Sequence, residues 1–272
     1  MASANGAVPG VTGDATVPPP PYAEQRYAII LSLLRATGRV DSPELAAELQ
    51  VTSETIRKDL VTLERKGYLK RVRGGALPVG GPSAEPSVAA RTSYLDEKTR
   101  IAKAAATHIP TTGAVLLDAG STTARLASLF PADRAITVYT NALPIALTLL
   151  EMPFLTVYTL GGRLRATTLA EVDDWAHRSL REICVDVAFL GANALSFTRG
   201  LMTPDPAEAA TKRAMLSAAS QRILLVDHSK MNSVSLCKHA DLSDIDILIT
   251  DSGIDPADLR ILRRRGVEVE LA

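Results

Sequence analysis

DSPELAAELQVTSETIRKDLVTLERKGYLKRVRGGA, residues 41–76, is the stretch whose reading decides this 272-residue chain. Asp41 or Ser42 can cap a short helix, Pro43 suits its first turn, and Leu45, Ala46 and Leu49 make an apolar stripe. Gln50, Val51 and Thr52 break the pattern. Ser53 can cap a second helix, with Ile56, Leu60 and Leu63 at helical spacing and facing inward. Glu54, Thr55, Arg57, Lys58 and Val61 fall on the opposite face. Two short helices joined by a tight turn, the second presenting polar and basic residues outward, make a helix-turn-helix. Gly67 ends the second helix, and residues 68–75 read as a two-stranded wing with a glycine turn.

Charge supports a nucleic-acid surface here. Residues 53–73 carry seven Lys or Arg against three Asp or Glu. Such groups neutralise phosphates and supply sequence-independent DNA affinity. Ser53, Thr55, Arg57, Lys58, Lys70, Arg71 and Arg73 are therefore the expected DNA contacts. Arg57 is placed on a base edge, and Lys58, Lys70, Arg71 and Arg73 on phosphates. A helix pair with a merely solvated basic face would share the periodicity. Cap, turn, outward Thr-Arg-Lys and basic wing together point to double-stranded DNA.

The segments TIRKDL (residues 55–60) and RVRGGA (residues 71–76) resemble the DeoR-type family of bacterial transcription regulators. That resemblance implies a winged helix-turn-helix joined to a domain that senses a sugar phosphate.

Outward from this stretch, composition sets the frame. The formal net charge is zero but uneven: residues 24–79 sum to +3 and residues 80–272 to −2. Two cysteines, Cys184 and Cys237, are too few for a disulfide framework, and no His/Cys spacing suggests zinc. No apolar run reaches the ~18 residues of a membrane span, and no signal-peptide pattern opens the chain. A cytoplasmic protein without cofactor, metal or membrane is expected. Residues 1–23 are rich in Gly, Ala, Pro, Ser and Thr and read as a disordered tail. The DNA-binding unit is 24–79, opened by a helix with Tyr27, Ile30, Leu31 and Leu34 on one face and stopped by Gly38. The run LPVGGPSAEP at 77–86 is Gly- and Pro-rich and gives a linker, with limits of 80–86.

In residues 87–272 strands and helices alternate. A helix carrying Tyr94, Ile101, Ala104, Ala105 and Ile109 on one side comes first. Strands are expected at 114–117, 136–139, 155–160, 185–190, 222–226, 245–250 and 267–271. Helices are expected at 121–130, 143–150, 168–182, 206–220 and 255–265. Short apolar strands separated by helices mean an α/β domain with a parallel sheet covered on both faces. Ligands of open α/β sheets bind beyond the carboxyl ends of the strands. Those ends carry Asp118, Gly120, Ser121, Thr122 and Thr123; Asn141; Gly162 and Arg163; Gly191; and Asp227 with Lys230. Glu208 and Lys212 share a helix face near its start. Small residues and hydroxyls after a strand suit an anion, and the joint position of this set favours a phosphorylated polyol.

The segments DAGSTT (118–123), TNALPIA (140–146), GGRLR (161–165), DVAFLGANAL (186–195), EAATKRAML (208–216), DHSK (227–230) and ITDSG (249–253) resemble sensor-domain signatures of the same family, in its order. The family's sensor domain is similar in fold to ribose-5-phosphate isomerase. By that resemblance Ser121, Thr122 and Thr123 hold the phosphate, and Asp118, Asn141, Gly191, Glu208, Lys212, Asp227 and Lys230 surround the sugar. The chain departs from the family pattern twice. Asp173-Asp174 stand where glycine is usual, and Met231-Asn232 stand after Lys230 where Phe-Gly is usual.

Two functions follow as expectations. One is a non-enzymatic repressor of carbohydrate-metabolism genes that binds operator DNA, self-associates as a dimer or tetramer, and is released by a phosphorylated sugar. The other is a sugar-phosphate isomerase with an appended DNA-binding domain, since the carboxylates and a lysine could transfer protons.

Overall fold

The computed structural model describes residues 21–37, 39–66, 68–72, 74–78, 87–88 and 91–272. The tail to residue 20, Gly38, Gly67, Arg73 and the linker residues 80–86 lie outside these.

The first unit runs α1 (Ala23–Thr37), β1 (Val40–Asp41), α2 (Ser42–Glu48), α3 (Ser53–Arg65), β2 (Leu69–Val72) and β3 (Gly75–Pro78). Its core is the predicted stripe: Ile30 and Leu34 of α1, Leu45 of α2, and Ile56, Leu60 and Leu63 of α3 pack in one buried cluster. Between α2 and α3, Gln50 takes a left-handed φ of 53°, which turns the chain sharply enough to set two helices at an angle. The helix cap lies one residue earlier than expected. Thr52, with extended backbone, accepts the Thr55 N–H at 3.1 Å, and Ser53 is the first helical residue. The wing is larger than the pattern indicated. β1, β3 and β2 form a three-stranded antiparallel sheet, and Leu77 and Pro78, assigned to the linker, pair with Lys70 and Leu69.

The second unit runs α4 (Leu95–Ala106), β4 (Gly113–Leu117), α5 (Ser121–Ala127), β5 (Ile136–Thr140), α6 (Leu143–Leu149), β6 (Leu155–Thr159), β7 (Arg163–Arg165), β8 (Ala170–Val172), α7 (Asp174–Arg181), β9 (Val185–Leu190), β10 (Ala194–Ser196), β11 (Gly200–Thr203), α8 (Pro206–Ser217), β12 (Ala219–Leu225), β13 (Cys237–Ala240), β14 (Ile247–Thr250), α9 (Pro256–Arg264) and β15 (Glu268–Leu271). Seven strands make one sheet in the order β15-β14-β12-β9-β4-β5-β6, every pair parallel. Successive side chains alternate between its faces. Val115, Leu117, Val138, Phe189 and Ile249 pack with α4, α5 and α6. Leu116, Ala188, Leu224 and Leu248 pack on the other face with α7, α8 and α9. Both faces of the central strands β4, β9 and β14 are covered, as their continuous apolar runs require.

Three expectations for this unit need correction. The helix expected over 168–182 is a β7–β8 hairpin followed by a helix limited to α7. Leu169 and Asp173 adopt left-handed φ values of 54° and 75°, so no helix can pass through either. The helices expected to reach 130 and 220 stop at Ala127 and Ser217. Finally, β10, β11 and β13 form a separate antiparallel sheet that short-range periodicity did not reveal, since its third strand comes from a segment more than thirty residues downstream. No helix among the described residues is long and apolar enough to cross a membrane.

Candidate functional sites

The recognition helix α3 buries Ile56, Leu60 and Leu63 and exposes Ser53, Glu54, Arg57 and Lys58; Thr55 is half-buried. Arg57 forms an ion pair with Glu54 at 2.9 Å on the exposed side, which raises its pKa and fixes its direction along the helix. Lys70 of the wing is exposed. Arg71 bonds Glu64 of α3 through both its side chain, at 2.7 Å, and its backbone N–H, at 2.8 Å, and so ties wing to helix. Asp59 faces the other way. It is buried and takes two hydrogen bonds from the Arg26 guanidinium at 2.6 and 3.1 Å, joining α3 to α1. The sequence offered a clue to this: Asp59 sits beside Leu60 and three residues after Ile56, on the inward side.

In the second unit, chain order reverses between β4 and β9: β5 and β6 extend the sheet one way, β9, β12, β14 and β15 the other. Their carboxyl ends splay apart at such a point and leave a crevice. A cavity of ≈ 750 Å³ lies there. Gly120, Ser121, Thr122, Thr123, Gly191, Glu208, Lys212, Asp227 and Lys230 all line it. Asp118 lies beneath the floor, 1% exposed, accepting the Gly191 N–H at 3.0 Å and the Lys212 ammonium. Lys212 donates also to the Gly191 carbonyl at 3.0 Å. Asn141 is buried too: its carbonyl oxygen accepts the Ala119 N–H at 2.9 Å, and its amide reaches the Glu171 carbonyl at 3.4 Å, so it shapes the loop that holds Gly120.

Gly162 and Arg163 lie away from the cavity. A side chain at Gly162, whose φ is +108°, would strike the Val172 carbonyl at 2.4 Å, so this glycine serves the packing of the β7–β8 hairpin. Arg163 pairs with Asp173 at 2.6 Å, both exposed. That pair also answers the family departure at Asp173: its carboxylate is turned onto Arg163 and does not line the cavity. Met231 likewise does not line it.

Two buried carboxylates are set apart by their surroundings. Burial pushes the Asp118 carboxyl up, with Lys212 opposing. Burial acts on Glu208 in the same sense, but Lys212, the Thr168 hydroxyl and Arg165 outweigh it and hold Glu208 below the usual carboxylate range. Glu208 accepts from Arg165, from Thr168 and, at 3.2 Å, from the Thr203 hydroxyl. The helix position of Glu208 is secured by Asp205, which caps α8 by accepting the Ala207 and Glu208 N–H groups at 2.9 and 3.0 Å.

Several cavity residues escaped sequence reasoning: Arg91, Lys98 and Thr168. Only Lys98 left a local signal. It stands four residues after Tyr94 and three before Ile101, on the apolar stripe of α4, where a lysine is out of place. His228 is bonded to Asp251 through both backbone N–H, at 2.8 Å, and ring Nδ1, at 2.7 Å.

Comparison with known proteins follows the same division. Residues 26–79 match the family described as the DeoR-like helix-turn-helix domain, and residues 93–252 the DeoR C terminal sensor domain. A putative aga operon transcriptional repressor of Escherichia coli O157:H7 is 37% identical over 250 residues, covering 91% of this chain and 93% of its own. The HTH-type transcriptional repressor GlcR of Bacillus subtilis is 33% identical over 249 residues, covering 91% and 96%. Among solved structures, a ribose 5 phosphate isomerase A from Neisseria gonorrhoeae aligns with a TM-score of 0.37 and 17% identity over 52% of this chain and 54% of that one.

Proposed function

The chain belongs to the DeoR family of transcriptional regulators, and from that premise we propose that it is a repressor of carbohydrate-metabolism genes whose release from operator DNA is triggered by a phosphorylated sugar. One observation carries the effector half of this reading. A single cavity at the carboxyl edge of the sheet is lined by Ser121, Thr122 and Thr123, by Lys212 and Lys230, and by Glu208 and Asp227. Cations and hydroxyls suit a phosphoryl group; carboxylates and amides suit sugar hydroxyls. A thermal-shift screen of the full chain against sugar phosphates, each compared with its unphosphorylated sugar, tests it. Stabilisation by a phosphorylated member alone is expected, and equal response to both forms counts against the phosphate reading.

An enzymatic role draws less support. Glu208 is held ionised and accepts from three donors, whereas a general base needs a free lone pair and a pKa nearer the working pH.

For the DNA half, the proposed base-edge contact is Arg57, which is exposed on α3 and paired with Glu54. Losing a bidentate base contact costs ~1–3 kcal/mol. Arg57→Ala is therefore expected to lower affinity for operator more than for unrelated DNA, measured side by side at one salt concentration. Equal loss on both moves Arg57 to the phosphate-contacting class.

Self-association is proposed to use β6. This edge strand, LTVYT, carries no charge or proline; its Tyr158 is 50% exposed and Phe154, just before it, 59%. The opposite edge, β15, is guarded by Glu268 and Glu270. An unguarded apolar edge invites pairing, and an antiparallel partner strand from a second copy would satisfy it. Tyr158→Lys is expected to shift the chain toward monomer by light scattering. A variant that keeps the wild-type mass excludes β6 as the contact.

A further inference from the structure

Residues 231–236, MNSVSL, run beside the cavity, and Ser233, Val234 and Ser235 line it. Both ends of this strap are fixed. Met231 packs against the buried cluster that α7, α8 and α9 share with the sheet, and Cys237 opens β13, paired with Thr203. Little holds the part between. The Ser233 N–H donates to the Leu195 carbonyl at 3.1 Å, and its hydroxyl to the Lys230 carbonyl at 2.7 Å. Among the described residues, the backbones of Val234, Ser235 and Leu236 make no hydrogen bond.

The strap also leaves apolar side chains in water: Val234 is 67% exposed and Leu236 66%. Exposed apolar surface is unfavourable in proportion to its area, so an arrangement that covers these groups competes with the open one. Lids are drawn from segments with few contacts and few backbone ties, as here. Asn232 supplies a hinge. Its φ of 47° is left-handed, and asparagine is one of the few residues besides glycine that takes this conformation readily. A torsional change there redirects the strap as far as β13 while Met231 stays in the core. The two residues by which the chain departs from the family pattern after Lys230 are thus an anchor and a hinge.

We propose that residues 232–236 are a lid, which turns about Asn232 and carries Val234 out of water onto the carbon skeleton of a sugar phosphate bound in the cavity. This rests on the reading of the cavity as the effector site. Closure breaks at most one backbone hydrogen bond, that of Ser233, and covers a valine. The charged lining, with Lys212, Lys230, Glu208 and Asp227, gives Val234 nothing to gain when only water lies between. A ligand shifts the balance only through surface it offers to the closed arrangement alone. The C–H groups of a sugar are such surface, and inorganic phosphate has none. Phosphate therefore binds under an open lid, whereas a sugar phosphate closes it. Closure expels water, which strengthens every polar contact beneath.

The experiment uses the full chain carrying Val234→Cys and Cys237→Ser, with native Cys184, which is exposed and does not line the cavity, as internal reference. Ribose 5-phosphate, glucose 6-phosphate and glycerol 3-phosphate are the probes and inorganic phosphate the control, at constant ionic strength. Calorimetry records which of them bind, and peptide mass spectrometry follows labelling of each cysteine by a thiol reagent. A bound sugar phosphate should slow labelling at position 234 roughly 10-fold or more and leave Cys184 unaffected, while phosphate changes neither rate. In an otherwise wild-type chain, Val234→Ser should weaken that sugar phosphate roughly 3- to 10-fold, about half the free energy of burying a valine, and leave phosphate binding unchanged. Asn232→Gly, with a freer hinge to order, should weaken it roughly 2- to 5-fold. A ligand that merely shadows position 234 would leave Asn232→Gly at wild-type affinity, since Asn232 does not line the cavity, and that outcome overturns the lid. A sugar phosphate that binds without slowing the labelling also overturns it and leaves the effector reading standing. Equal slowing by phosphate shows that the carbon skeleton is not what closes the strap. Failure of all three probes to bind removes the effector reading, and the lid with it.

Discussion

Lys212→Met is expected to destabilise the α/β domain by ~3–5 kcal/mol, the size of effect seen when one partner of a buried ion pair is removed. Lys212 and Asp118 are 4% and 1% exposed, and the ammonium lies directly on the carboxylate. Without Lys212, Asp118 remains in a dry site with only the Gly191 N–H to satisfy it. Burial already raises its pKa, and loss of the cation raises it further, so the carboxyl takes up a proton instead of staying charged. Denaturant melts of wild type, Lys212→Met and the double variant Asp118→Asn/Lys212→Met measure this. The double variant should recover most of the loss, because no lone charge is left behind. A single variant that loses under ~1 kcal/mol would mean that the pair is solvated in solution and holds nothing together.

Acid should weaken the protein, and His239 should account for much of the slope. This residue of β13 is 2% exposed and neither ring nitrogen has a partner. Burial, together with Lys212 and Arg213, depresses its pKa to about 2 from an ordinary 6.5. In the unfolded chain the imidazole takes a proton below its ordinary pKa, while in the folded chain it stays neutral until far lower pH. The unfolded state thus binds more protons throughout that window, and stability falls as pH falls through it. At pH 4 the loss from this one group is about 3 kcal/mol, following from 1.36 kcal/mol for each unit between 6.5 and 4. Glu208, with its lowered pKa, adds loss at the acid end of the range, and Asp118 works in the opposite direction. His239→Leu isolates the histidine, since it removes two unsatisfied polar atoms and the titration together. It should match or exceed wild-type stability at pH 7 and lose about 3 kcal/mol less on going to pH 4. Identical pH profiles would show that water reaches the ring.

What residues 41–76 and the alternating runs beyond them determined was everything set by neighbours along the chain. Helical spacing of Ile56, Leu60 and Leu63 suffices to orient α3, and continuous apolar runs suffice for strands buried on both faces, because each pattern repeats within a few residues. The loop residues at strand ends were legible for the same reason: a strand that ends in DAGSTT or GAN ends at the sheet's carboxyl edge. Tertiary structure alone decided which of those residues meet. Asp118 and Lys212 stand 94 positions apart, and Thr168 reaches Glu208 across 40. No local pattern joins them; the reversal of strand order between β4 and β9 does. The hairpin at β7–β8 was hidden because TTLAEV is compatible with a helix until left-handed Leu169 and Asp173 are fixed by packing. Gly162 and Arg163 looked like members of the site because they follow a strand, yet their partners, Val172 and Asp173, pull them onto the hairpin. Lys98 shows the limit best. Its place on an apolar stripe was visible in the chain, but that the residue is 4% exposed and its ammonium is bonded to the carbonyls of Ser93 and Arg91 is a property of the assembled fold.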